Sequence, residues 1–144
     1  MKWLRYATNT FYENLSQLEY KSLTVIIDAC FSGSSDGGAL LKNISPVFIK
    51  AETKILNDEK ATVFISADPE QVSSWHPEKS HSLFSYYFLK GLQGNADLNE
   101  DQKVTVGEME IYLEENVTYW ARRLNSREQN PEIYGEENRV LISY

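Results

Sequence analysis

Two short apolar runs organise this chain. Residues 23–28 read LTVIID and residues 61–67 read ATVFISA. Both are continuous rather than alternating, and rich in β-branched side chains. That pattern predicts strands buried on both faces, as in a parallel sheet. Ahead of the first run, residues 3–20 place Leu4, Phe11, Leu15 and Leu18 roughly on one face, with Asn, Glu and Gln between them. This spacing predicts a helix. Residues 83–92 predict an apolar, aromatic helix with Gly94 as its terminator. Residues 106–124 predict a long amphipathic helix, and residues 139–144, RVLISY, a final strand. Residues 43–60 are ambiguous, with a helix around 47–56 as the working reading. Residues 68–82 form a polar loop holding both histidines. Residues 125–138 are polar, with Pro131 and Gly135 as breakers. Strands alternating with helices indicate an α/β layered fold with a largely parallel sheet. Sites in such sheets lie at the carboxyl ends of strands, and the first run delivers Asp28 and Cys30 there.

Length and charge narrow the picture. The 144 residues suit one domain, large enough for roughly 68% of the unfolded surface to leave water. No repeat, low-complexity tract or linker divides it. The net charge of −7, from 14 basic and 21 acidic residues, is spread along the chain. It favours solubility and supplies no basic stripe for a nucleic-acid partner. One cysteine excludes a disulfide within the chain and fits a reducing compartment. No run approaches the roughly 20 apolar residues of a membrane span, and residues 1–10 lack a signal-peptide core. The expectation is a cytoplasmic protein with no nucleic-acid or membrane partner.

Cys30 is the first candidate for chemistry. A free cysteine is most often a small buried hydrophobe. This one directly follows a predicted buried strand and opens a loop of small residues, FSGSSDGGA. Such a loop leaves room for a substrate backbone, and its amide N–H groups can stabilise an oxyanion.

The segment 26–34, IIDACFSGS, resembles the nucleophile segment of the caspase-like cysteine peptidases. It is closer to the metacaspases and bacterial caspase-like proteins than to animal caspases. Animal caspases carry Gln-Ala-Cys, a variable residue and then Gly. Here Asp28 takes the first position and the glycine falls one place later, at Gly33. The likeness continues through FISA at 64–67, SLFSYYFLKGLQG at 82–94, residues 97–108, and Gln129-Asn130-Pro131. It covers roughly residues 15–142. The resemblance implies a three-layer α/β caspase-like (caspase-hemoglobinase) fold with a largely parallel sheet, incomplete at its N-terminal side. It implies a cysteine endopeptidase acting on peptide or protein substrates, with no cofactor required for the chemistry. Cys30 is then the nucleophile, with its own backbone N–H and Gly33 at the oxyanion. Asp28 and Ser66 line the substrate pocket. A carboxylate at Asp28 would select Arg or Lys before the scissile bond. Read from the residue alone, the alternative is that Asp28 caps the turn through its own backbone. In metacaspases a second acidic residue assists. Here that position is Trp75, which either packs against substrate or pins the loop.

The family's general base is a histidine followed by glycine, about 50 residues before the cysteine. Only 29 residues precede Cys30, and none is a histidine. The resemblance thus implies a second chain, or an N-terminal segment not present here, carrying the catalytic histidine. The alternative is a non-catalytic regulatory or interaction module on the same fold. His76 and His81 lie at the correct edge of the sheet, but their segment resembles one in which the histidine has no catalytic role. Without a base a thiol ionises near ~8.5, and thiolate is scarce at neutral pH. The chain alone is expected to be inactive.

Residues 97–108, DLNEDQKVTVGE, have the spacing of an EF-hand loop. Asp97, Asn99 and Asp101 occupy positions one, three and five. Lys103 offers its carbonyl at seven, Thr105 stands at nine and Glu108 at twelve. Gln102 replaces the glycine of position six. The readings left open are a weak, structural calcium site and an acidic connector whose Thr105 or Asp101 caps the next helix. The family resemblance is compatible with calcium dependence.

Overall fold

The computed structural model describes residues 8–28, 34–35, 38–39, 54–68 and 71–144. Helix α1, Thr8–Ser16, leads to strand β1, Leu23–Ile27. A two-residue ribbon pairs β2, Ser34–Ser35, with β3, Gly38–Ala39. A 3-10 turn at Lys54–Asn57 precedes β4, Ala61–Ile65. The hairpin of β5, Trp75–His76, and β6, His81–Ser82, opens directly into α2, Leu83–Lys90. Then come β7, Lys103–Thr105, α3, Val106–Leu113, and α4, Tyr119–Asn125. β8, Glu132–Tyr134, and β9, Val140–Ser143, finish the chain.

The two apolar runs pair as their pattern predicts. β1 and β4 are parallel, in register from Leu23 opposite Ala61 to Ile27 opposite Ile65. β8 joins the other side of β4 antiparallel, with Ile133 opposite Phe64, so the sheet is mixed. This strand was hidden in what read as a polar loop. Its three residues are all half-buried, and they directly follow Pro131, a residue confined to the margins of strands. The expected final strand exists, but it pairs with β7 and not with the main sheet.

β4 explains why a strand can be apolar at every position. Successive side chains point to opposite faces. Ala61, Val63 and Ile65 pack with Tyr12, Val25 and Ile55. Phe64 packs with Leu83, Phe84 and Phe88 of α2 and with Met109 and Leu113 of α3. β1 departs from the expectation of double burial. It stands at the edge of the sheet among the described residues, with Val25 buried and Ile26 49% exposed.

Helix α2 runs into a π-helical turn, Gly91–Asn95, which ends through Gly94 at φ +106°. Only glycine adopts that conformation without strain, so Gly94 terminates the helix as its identity suggests. The expected helix 106–124 is α3 and α4 joined by a π-helical turn at Glu114–Thr118. Residues 1–7 and most of the ambiguous 43–60 segment lie outside the described residues. Among the described residues no helix is long and apolar enough to cross a membrane.

Candidate active site

The parallel pair positions the site. The Ser66 N–H donates to the Ile27 carbonyl at 2.9 Å, so the carboxyl ends of β1 and β4 lie side by side. Asp28 is the first residue beyond β1 and Ser66 the first beyond β4. Cys30 and Gly33, the expected nucleophile and oxyanion residues, lie outside the described residues.

Asp28 is exposed as a residue, yet its carboxylate is held by three hydroxyls. Ser73 Oγ donates to Oδ1 at 3.0 Å. Ser85 Oγ donates to Oδ2 at 2.5 Å, and the Ser82 hydroxyl donates to the same oxygen. Ser82 is also the N-cap of α2, accepting from the Ser85 N–H at 3.0 Å. The carboxylate therefore sits at the positive end of a helix, where negative charge is favoured. These partners come from 45 to 57 residues further along the chain, so Asp28 ties distant segments together and does not act on its own turn alone. A carboxylate has about four lone-pair positions. With two used on Oδ2 and one on Oδ1, about one remains.

A buried amide supports this arrangement from behind. Gln129 is fully buried. Its Oε1 accepts from the Ser74 N–H at 2.7 Å, and its Nε2 donates to the Ser66 carbonyl at 2.9 Å and to Ser73 Oγ at 3.4 Å. It thus ties the end of β4 to the segment that brings Ser73 to Asp28. Ser66 itself is fully buried, with a hydroxyl that has no hydrogen-bond partner. That places it beneath the site and not on its surface.

The β5–β6 hairpin sorts the remaining candidates by face. Trp75 is opposite Ser82, and His76 is opposite His81. Directly opposed residues of an antiparallel pair share a face, and neighbours along a strand alternate. Trp75 therefore leaves the hairpin on the face of Ser82 and Asp28, with 58% of its surface exposed. His76 leaves on the other face, its ring 5.3 Å from that of Tyr86, and His81 shares that face. Neither histidine stands on the Asp28 side.

The sequence reading did not single out Ser82, Ser85 or Gln129 as site residues. Their signal was faint: hydroxyl residues clustered at 73–85, and one glutamine in a polar stretch before Pro131. Which hydroxyl meets Asp28 depends on the hairpin, which polar residues 68–82 did not announce.

The 97–108 loop forms a separate feature. Asp97 accepts from the Asp101 and Gln102 N–H groups at 3.1 and 3.0 Å. Asn99 Oδ1 also accepts from the Asp101 N–H, and Asp101 accepts from the Lys103 N–H. Gln102 adopts φ +66°, the left-handed conformation for which glycine would be the default. Thr105 caps α3 in a capping box with Glu108. Burial raises the Glu108 pKa, but N–H donors from Thr105, Asn99 and Leu98 and the Thr105 hydroxyl outweigh it and hold the group below its usual value. Its close bonds, from the Thr105 N–H and hydroxyl, both fall on Oε2; Oε1 is buried with no donor in hydrogen-bond geometry, so the Asn99 and Leu98 N–H groups act on the carboxylate from further off. Among the described residues no group of three or more His, Cys, Asp or Glu is gathered as a metal site. A cation here would have to draw the carboxylates together.

The model of the caspase domain family matches residues 4–141, nearly the whole chain. No curated protein and no solved structure gives a significant match.

Proposed function

Because the chain belongs to the caspase-domain family of cysteine peptidases, we propose that it is the nucleophile-bearing part of a caspase-like endopeptidase with the family's three-layer fold. The Cys30 thiolate adds to the scissile carbonyl carbon, the C–N bond breaks, and the amine leaves with a proton. Water then hydrolyses the thioester and restores the thiol. Asp28 attracts Arg or Lys before the scissile bond. The observation that carries this reading is an exposed carboxylate, held by three serine hydroxyls, two positions before the cysteine of IIDACFSGS.

In this reading the general base is a histidine other than His76 and His81, which leave the hairpin away from Asp28. A non-catalytic module on the same fold is the second reading. It is favoured by the pairing of the hairpin, which turns His76 and His81 away from Asp28. Labelling of Cys30 by a peptidyl-Arg electrophile, compared with a plain alkylating agent, separates the two. Peptide-dependent acceleration supports the peptidase. Labelling no faster than an ordinary thiol supports the module. Turnover of an Arg or Lys peptide by the chain alone, lost in Cys30→Ala, would overturn the assignment of the base to another segment.

Weak, structural calcium binding by Asp97, Asn99, Asp101, Lys103 and Glu108 accompanies this reading. It is supported by the order of donors, by the buried and unbonded Glu108 Oε1 and by Gln102 already holding the left-handed turn. Calorimetry without heat at millimolar calcium removes it.

A further inference from the structure

Asp28 is poorly equipped to recognise a cation by itself. Three hydroxyls occupy its oxygens, and the one lone pair left cannot fork with a guanidinium, which needs two acceptors. A second surface is needed, and Trp75 stands where it would be. It lies directly across the hairpin from Ser82, whose hydroxyl bonds Asp28. Opposed residues have Cβ atoms about 5 Å apart, so the indole is rooted one side chain away from the carboxylate.

Two further facts separate this tryptophan from a packing residue. Its backbone neighbourhood is fixed: the Ser74 N–H is bound by Gln129 and the Ser74 carbonyl accepts from the Leu83 N–H at 2.8 Å. Yet the residue is 58% exposed. The chain's own cations near the hairpin go elsewhere, since Lys79 and Lys90 lie over the Tyr86 ring at 5.9 and 6.0 Å. An exposed aromatic face, rigidly rooted beside a carboxylate, suits a cation brought by a ligand.

We infer that Trp75 is a specificity-determining residue, forming the aromatic wall of the Asp28 pocket and binding the cationic head of the substrate side chain through its ring face. The inference rests on the reading of Asp28 as the pocket carboxylate. It makes the pocket prefer Arg to Lys. A planar guanidinium can stack on the indole while one N–H meets Asp28, whereas an ammonium is a compact, strongly hydrated point charge.

The test avoids the chemical step. The full chain carrying Cys30→Ala is titrated, by NMR that reads millimolar binding, with one short peptide amide ending in Arg, Lys or citrulline. Citrulline keeps the shape of Arg and removes the charge. The expected order is Arg, then Lys, then citrulline. Adding Trp75→Ala should weaken Arg binding roughly five- to thirtyfold and leave citrulline nearly unchanged, while Trp75→Phe should restore a large part of the loss. Arg preferred over citrulline with equal strength in the Trp75→Ala protein would overturn the role of Trp75 and leave that of Asp28 standing. No preference for Arg over citrulline before Trp75 is changed would overturn both.

Discussion

Gln129→Ala is the substitution whose effect follows most directly from the geometry. The side chain is fully buried and makes a short bond to the Ser74 N–H, a second to the Ser66 carbonyl and a long contact to Ser73 Oγ. Ser74 and Ser66 are themselves buried, so water does not readily replace the lost partners. Leaving a buried donor or acceptor unsatisfied costs about 1–3 kcal/mol each. Two such groups give a loss of about 2–6 kcal/mol, and the vacated volume adds to it. That is a large part of the roughly 5–15 kcal/mol that holds a domain folded.

Urea unfolding measures this loss as a fall in the midpoint at unchanged slope. Gln129→Glu distinguishes hydrogen bonding from simple filling of space. Ionised, Glu keeps the acceptor for Ser74 but cannot donate to the Ser66 carbonyl. Protonated, it regains a donor. Burial raises its folded-state pKa above the unfolded value of about 4.3, so the folded protein holds the proton more tightly. The stability gained by protonation is fully present below that unfolded value and is lost as pH rises through the raised folded one. Measured against the parent protein at each pH, Gln129→Glu should approach it in acid and fall behind near neutrality. A Gln129→Ala loss under about 1 kcal/mol, or a Gln129→Glu deficit independent of pH, would refute the reasoning.

Three further outcomes are expected. Glu108 is held below its usual pKa, so its contribution exists above the ordinary carboxylate range and is lost as pH falls through the depressed value; the parent should exceed Glu108→Gln in unfolding free energy from urea titration near neutrality by no more than about 1 kcal/mol, and an advantage that grows in acid would contradict this. Gly135 sits at φ +144°, and a Cβ there would lie 2.9 Å from Thr62 Oγ1; Gly135→Ala should lose about 1–3 kcal/mol in the same assay, and an unchanged midpoint would count against it. β1 forms the sheet edge among the described residues with Ile26 exposed, an arrangement that invites pairing. Sedimentation should show concentration-dependent association that Ile26→Lys reduces, and a concentration-independent monomer before substitution would reject that account.

Where one residue's neighbours are close in sequence or one periodicity dominates, the sequence told the structure. The runs 23–28 and 61–67 are parallel neighbours because continuous apolar segments need cover on two sides, and β4 obtains it. Gly94 ends its helix because its backbone angle suits glycine. Thr105, one of the two caps the loop sequence offers, caps α3. Legibility fails where partners are distant and polar. A three-residue strand at Glu132–Tyr134 has too few positions to show a period, and its place is set by β4. The partners of Asp28 lie across a hairpin that shows no alternation of apolar residues. Gln129 looks like any loop glutamine until its burial is known.

Under the proposed function, recognition and activation are separable in this chain. The carboxylate, its three hydroxyls and the tryptophan lie on one side of the β5–β6 hairpin, and both histidines leave on the other. In the proposed pocket, binding a basic side chain draws on the first group alone. Turning a thiol into a nucleophile needs a base, and a positioned base typically contributes about 10²–10⁴-fold in rate. If the base comes from another segment, supplying that segment should accelerate labelling of Cys30 by up to that factor and leave the Arg-over-citrulline binding ratio of the Cys30→Ala protein almost unchanged. If it instead altered the ratio as strongly as the rate, the pocket would be completed by the same segment as the base, and the division of labour across the hairpin would be wrong.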